Sequence, residues 1–236
     1  MAIEDFLNDY QSNGYKKEEY TPTLADPDKS FVDNLVTIFA ANPSIEKAYF
    51  GLLYNEEEDK NDLFLAVEHH GKNEPIKTMA EIVRDTYLPD RKVAFTSNVE
   101  DPELFSFIEQ NNFPFYTKGK YLALNMLIIN HYLDPVGYQM HFMYQVRTGK
   151  MVSLFKDFDP SSNVLNFQTF VRNGREFVPL FSEKDMIYKS GMTEVPADLT
   201  PLEFDWAKLL STLDGIEKLR YYVLNPGTSF EVEFNV

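Results

Sequence analysis

The alternation of apolar and polar positions divides the chain into short elements. Phe31, Leu35, Ile38 and Phe39 recur at helical spacing behind Ser30, a residue type that caps helices, and Asp33 is favourably placed in the first turn. Asn42-Pro43 closes that helix. Two apolar runs, residues 48–54 and 63–67, flank a polar stretch over 55–62, the pattern of two strands joined by a loop. Ile76, Met79, Ala80, Val83 and Tyr87 then form one helical stripe ended by Pro89-Asp90. Residues 92–96 predict a short strand. Asp101-Pro102 starts a further helix carrying Leu104, Phe105, Phe107 and Ile108, because a capping carboxylate precedes a proline at the first helical position. The predicted order is α-β-β-α-β-α.

Beyond Gly119 the pattern predicts a helix over about residues 121–132, followed by a stretch to Lys156 that follows no single period. An apolar run over 164–171, the turn Arg172-Asn173-Gly174-Arg175 and a second run over 177–181 predict a β-hairpin with Asn-Gly at its centre. Ser182 with Asp185 predicts a capped helix start, and Gly191 its left-handed C-terminal cap. Thr200-Pro201-Leu202-Glu203 combines a capping box with proline at the first helical position. Leu202, Trp206, Leu209, Leu210 and Leu213 then predict an inward helical stripe as far as Gly215. A strand over 220–224, the turn Asn225-Pro226-Gly227 and a last strand over 230–234 complete the series. The fold class is α+β, in two small domains that each pack a sheet against amphipathic helices. The expected division is a polar arm at 1–29, one domain at 30–118 and a second at 119–236, jointed at Thr117-Lys118-Gly119-Lys120.

Composition narrows the function classes. The 236 residues carry 37 acidic and 22 basic side chains, a formal charge of −15, and the 15% aromatic content belongs to a chain that folds. Residues 1–118 hold 11 Lys and Arg against 23 Asp and Glu, while residues 119–236 hold 11 against 14, so the first half is much the more acidic. Such a chain repels phosphate backbones and anionic lipid, and Lys16-Lys17 and Arg91-Lys92 are only pairs, so neither nucleic acid nor membrane is an expected partner. The amino-terminal residues lack a basic region followed by an apolar run, and the apolar stretch at 121–133 is far short of the roughly 20 residues that cross a bilayer. A cytoplasmic location is expected. With no cysteine there is no disulfide, thiolate metal site or thiol nucleophile.

Candidate chemistry is sparse. Glu56-Glu57-Glu58-Asp59 with Asp62 lacks the alternating ligands and glycine of a calcium loop and reads as a solvated hairpin connection. His69 and His70, adjacent on a strand, point to opposite faces, and His131 and His141 have no carboxylate in register, so no metal site is expected. Asp157 and Asp159 would share one strand face as an acid–base pair, although Pro160 and the serines after it favour a loop. Asn225-Pro226-Gly227-Thr228-Ser229 has one glycine and no lysine, too little for a phosphate loop. No cofactor motif is present. The 20 Phe and 14 Tyr stand out. Tyr138, Met140, Phe142, Met143 and Tyr144, in the stretch without a clear period, are the candidates for an aromatic binding surface.

Several segments resemble a known family. Residues 31–39, Ile45-Glu46-Lys47-Ala48-Tyr49, the run ending in Glu68, the helix at 75–87 and Pro114-Phe115-Tyr116 are similar to the carboxy-terminal domain of the SseB (enhanced serine sensitivity) proteins. The hairpin from Asn173 to Ser182, one residue shorter than the family's, and Tyr222-Val223-Leu224-Asn225-Pro226-Gly227 resemble the amino-terminal SseB domain, so the two types stand in reversed order. The resemblance implies a two-domain cytoplasmic bacterial protein with no established catalytic residues. The expected function is a non-catalytic protein-binding or regulatory module whose partner is another protein, with homo-oligomers also allowed. One alternative is a small-molecule sensor or hydrolase using Asp157, Asp159, His131 or His141 between the domains. Another is an acidic immunity-type protein that neutralises a basic toxin.

Overall fold

A computed structural model describes residues 30–157, 166–205, 207 and 221–235. Its first sheet is organised by a long hairpin: β1 (Ile45–Asn55) and β2 (Lys60–His69) pair antiparallel from Asn55↔Lys60 to Ile45↔His69. Helix α2 (Asn73–Tyr87) crosses over to β3 (Val93–Ser97), which runs parallel to β2, and β4 (Pro114–Thr117) pairs antiparallel with β1. The order is β3-β2-β1-β4. Helix α1 (Phe31–Ala41) starts where predicted, with Ser30 Oγ accepting the Asp33 N–H at 3.1 Å. Helix α3 (Pro102–Asn111) starts on Asp101, whose carboxylate accepts the Leu104 N–H at 3.0 Å.

Strand alternation sorts this sheet into two apolar faces. Ala48, Phe50, Leu63, Leu65 and Val67 join Leu35 and Phe39 of α1 and Ile76, Ala80 and Val83 of α2 in the main core. Tyr49 and Ala66 point the other way, into a smaller cluster with Phe105 and Ile108 of α3. The aromatic segment Phe113-Pro114-Phe115-Tyr116, for which no strand was predicted, becomes β4 because its rings fill the main core. Phe115 stacks on Phe50 at 4.7 Å, and Tyr116 meets Phe39 edge-on at 5.7 Å.

The stretch without a clear period resolves into helix α5 (Pro135–Thr148) and strand β5 (Lys150–Lys156), preceded by helix α4 (Ala123–Leu133). Strands β6 (Phe170–Arg172) and β7 (Arg175–Leu180) form the predicted hairpin, with Asn173 and Gly174 at φ 53° and 75°, as a two-residue turn of the type I′ kind requires. Strand β9 (Tyr221–Leu224) runs parallel to β7, and β10 (Val232–Asn235) pairs antiparallel with β9, giving the order β10-β9-β7-β6. A short helix, α6 (Met186–Lys189), follows β7. Gly191 beyond it has φ 89°, the left-handed conformation expected of a C-terminal cap. Ser182, however, does not cap this helix; it bonds to Asn225 instead. The run from 164 lies partly outside the described residues.

One prediction fails outright. Thr200-Pro201-Leu202-Glu203 is not a helix start but part of strand β8 (Leu199–Asp205), paired antiparallel with β5 from Lys150↔Asp205 to Lys156↔Leu199. The capping-box residues carry only a local preference, and β5, buried from Met151 to Phe155, offers a continuous partner edge that outweighs it. Pro201 is tolerated because β8 pairs on one side only in this two-stranded ladder. The rest of the predicted stripe, Trp206, Leu209, Leu210 and Leu213, lies outside the described residues. Val152 and Phe181 exchange main-chain bonds of 2.9 and 2.8 Å, which ties β5 to the end of β7.

Among the described residues no strand pairing crosses Gly119, whose φ of 75° places a left-handed turn at the expected joint. Apart from the small cluster under α3, most of the buried apolar residues nevertheless belong to one cluster that runs from Phe31 to Phe234. Phe230 packs edge-on against Tyr132 at 4.9 Å and Phe113 at 6.3 Å, and Asn112 Oδ1 accepts the Ser229 N–H at 3.2 Å. Among the described residues no helix is long and apolar enough to cross a membrane.

Candidate interaction surface

Helix α4 is the anchor of the region. Leu124, Met126, Ile128 and Ile129 are buried, and so are Asn125 and Asn130, which interrupt the apolar run in the sequence. Asn130 is bonded at both ends of its amide, as burial demands, whereas Asn125 is bonded through Nδ2 only. Asn125 Nδ2 donates to the Pro114 carbonyl at 2.8 Å. Asn130 accepts from Ser30 Oγ at 2.8 Å and donates to Asp33 Oδ2 at 2.9 Å, locking α4 onto the start of α1.

Helix α5 lies against α4 and leaves a face outside. It begins at Asp134, whose carboxylate accepts the Gly137 N–H at 2.9 Å, with Pro135 next. Tyr138, Phe142 and Val146 point inward, one turn apart, and His131 of α4 stacks on Phe142 at 4.9 Å while bonding Gln139 at 2.7 Å. The five residues singled out in the sequence therefore divide. Tyr138 and Phe142 are core, which the aromatic-surface expectation did not anticipate; Met143 is half-buried. Met140 and Tyr144 stand outside, 47% and 64% exposed, and Val136, one turn before Met140, is 83% exposed. Helical spacing puts Val136, Met140, Met143, Tyr144 and Arg147 on one arc of about 100°, opposite the buried side.

The segment that carries this stripe differs in charge from the rest of the chain. Residues 110–156 contain one carboxylate, Asp134, against Lys118, Lys120, Arg147, Lys150 and Lys156; the other 36 carboxylates lie elsewhere. That deficit could have been counted in the sequence, but what makes it matter is which face of α5 is covered.

Several of the other candidates are structurally occupied. Glu56 to Asp59 form the turn between β1 and β2. There Asn55 Oδ1 accepts the Glu57 and Glu58 N–H groups, Tyr54 donates to Asp59 at 2.5 Å, and Lys60 pairs with Glu58. His70 pairs with Glu46 at 3.0 Å on the surface. Buried His69 faces Asn73 Oδ1 at 3.1 Å, an oxygen that also accepts from Ser97 Oγ at 2.7 Å. Asn98 bonds the His69 main chain on both sides, and Asn73 Nδ2 reaches Glu100. This network at the carboxyl ends of the parallel strands β2 and β3 was invisible in the sequence, since the bonds that join its two strand ends cross 24 to 29 positions. It ties the two strand ends to the start of α2.

Two further groups converge at the end of α3, and the first of them spans the halves of the chain. Lys189 donates to the Glu109 and Asn112 carbonyls at the end of α3, and burial holds its amine below the ordinary lysine range. The Tyr49 phenol donates to Glu109 at 3.0 Å, and burial together with that carboxylate pushes its pKa well up, so it acts as a donor and not as a nucleophile. Asp157 sits at φ 49° in a turn, and Asp159 lies outside the described residues. A groove of about 520 Å³ runs beside the start of β3, lined by Arg84, Arg91 and Lys92 but also Asp62, Asp85 and Asp90; it touches neither His131, His141 nor Asp157. Among the described residues no group of three His, Asp or Glu side chains is placed to hold a metal ion.

Compared with known proteins, residues 21–118 match the family model of the SseB protein C-terminal domain. No curated protein and no solved structure matches the chain.

Proposed function

Residues 21–118 match the SseB protein C-terminal domain, and from that premise we propose that the chain is a non-catalytic protein-binding module that docks its partner on the outer face of α5. One observation carries this reading: Val136, Met140 and Tyr144 form an exposed apolar stripe within a 47-residue stretch, 110–156, that has a single carboxylate. An apolar side chain exposed alone needs no explanation, but three in register on a charge-poor helix make a patch of the kind that marks interfaces. Met and Tyr are enriched there because they bring large apolar area with adaptable or amphipathic tips. The buried side of α5 holds the helix rigid, so little ordering accompanies docking. The residues after Gly119 act as the family's amino-terminal type in reversed order, and the protein works in the cytoplasm.

Photo-crosslinking from single positions in living cells tests this reading. A photoreactive residue replaces Tyr144 or, as a control, Tyr54 on the acidic hairpin, which is 62% exposed against 64% for Tyr144. Discrete covalent adducts to protein are expected from position 144 and not from position 54. Equal labelling from both positions, or none from either, overturns the reading.

A further inference from the structure

We infer that the occupant of this face is a second copy of the same chain, with α5 crossing its mate antiparallel about a two-fold axis at Met140; this rests on the docking reading above and names its partner. The stripe is self-complementary about that point. Val136 and Tyr144 are equidistant from Met140, so a two-fold crossing sets Met140 on Met140 and each Val136 against the other copy's Tyr144. The formal charges follow the same symmetry. Arg147 near the end of one helix comes beside the end that carries Asp134 in the other, and α5 and α4 bring no further Asp, Glu, Lys or Arg between those positions.

Long-range charge selects the same face. Two molecules of charge −15 repel wherever their acidic surfaces meet, and the excess of acid lies outside residues 110–156. Approach along α5 brings together the segments poorest in carboxylate. A helix of 14 residues is about 21 Å long, and one face of it buries less than the roughly 800 Å² per partner of a standard interface. The association is therefore weak, with a dissociation constant on the order of 10–100 µM. Salt strengthens it, because screening relieves the repulsion while leaving apolar contact intact. That dependence is opposite to the one a charge-driven complex shows.

The absence of cysteine makes the geometry directly testable in the full chain. Single variants Met140→Cys, Val136→Cys, Tyr144→Cys and the control Tyr54→Cys are oxidised mildly and followed by non-reducing gels. All four positions are exposed, so the fold is kept. Met140→Cys should link into a dimer fastest. Val136→Cys and Tyr144→Cys should link poorly alone, since in each case the two sulfurs sit about 12 Å apart along the crossing, beyond disulfide reach, but should link to each other when mixed. Sedimentation of the unmodified chain from about 10 µM to 1 mM should show a dimer that grows with added salt and becomes about tenfold weaker in Tyr144→Glu. A chain that stays monomeric across that range, or linking from Tyr54→Cys as fast as from Met140→Cys, overturns the second copy as occupant. If crosslinks from position 144 then reach a different protein, the docking reading stands and only its partner changes; if they reach none, both fall.

Discussion

Replacing Asn225 tests how the second half of the chain is closed. Asn225 is fully buried at φ 49°, in the turn that follows β9. Its side chain does two things at once: Oδ1 accepts the Ser182 N–H at 2.9 Å, and Nδ2 donates to Ser182 Oγ at 3.1 Å. Its main chain donates to the Leu180 carbonyl at 2.8 Å, so the residue closes the parallel pair β7 and β9 on the side where no ladder continues. Asn225→Ala keeps the main-chain bonds and loses both side-chain bonds, at about 1 kcal/mol each. It also places a Cβ-bearing residue without a polar side chain in the left-handed region, at a further 1 kcal/mol or so. The expected loss is about 3 kcal/mol, read as a lower urea midpoint with unchanged slope in far-ultraviolet circular dichroism.

Asn225→Gly separates the terms. Glycine loses the same two bonds but is at ease at positive φ, a relief only partly offset by the freedom it adds to the unfolded chain, so it should be less damaging than alanine by about 0.5–1 kcal/mol. Ser182→Ala, which removes only the hydroxyl partner, should cost about 1 kcal/mol or less. An alanine variant within about 1 kcal/mol of the parent would refute the reasoning. So would a glycine variant less stable than the alanine one, because the left-handed backbone would then contribute nothing.

Two further outcomes follow from the packing and charge of single residues. Gly51 faces α3, and a Cβ there would lie 2.9 Å from Ile108 Cγ2 and 3.0 Å from Cγ1, so Gly51→Ala should destabilise by about 1–3 kcal/mol, although the same change at an open site would stabilise. Adding Ile108→Ala removes the clashing atoms, and calorimetry of the double variant should show clearly less than the sum of the two losses. Burial, partly offset by Lys120, raises the Glu183 pKa above its ordinary 4.5, so the folded protein holds that proton more tightly than the unfolded chain does. Its favourable contribution is complete below about pH 4.5 and disappears as pH rises through the raised value. Glu183→Gln should therefore gain stability relative to the parent at neutral pH and lose that advantage below about pH 4, in denaturation series run across that range.

What was readable in the sequence was whatever a few neighbouring residues decide among themselves. Ser30 and Asp101 announce helices because a short polar side chain reaches the orphan N–H groups three residues on. Asn173-Gly174 announces a hairpin because both residues accept positive φ. The turn at Asn225 was equally plain, but not that its amide would reach Ser182, 43 positions away. The same limit hid the links from Lys189 to α3 and from Asn98 to His69. In the candidate surface, residue types and the scarcity of carboxylate were legible, whereas the division of Tyr138 and Phe142 from Met140 and Tyr144 was not.

By itself, then, the order of residues determined the α+β class, most helix starts, the hairpins, the shortage of acid between residues 110 and 156 and the likeness of residues 21–118 to the SseB C-terminal domain. Tertiary structure alone decided that Thr200 to Glu203 extend as a strand beside β5 and that one side of α5 is core while the other meets solvent. The physical reason is common to both. Capping and turn preferences amount to about 1 kcal/mol and act within a few residues, whereas pairing along a whole strand or burial of a helix face sums many contacts with distant segments.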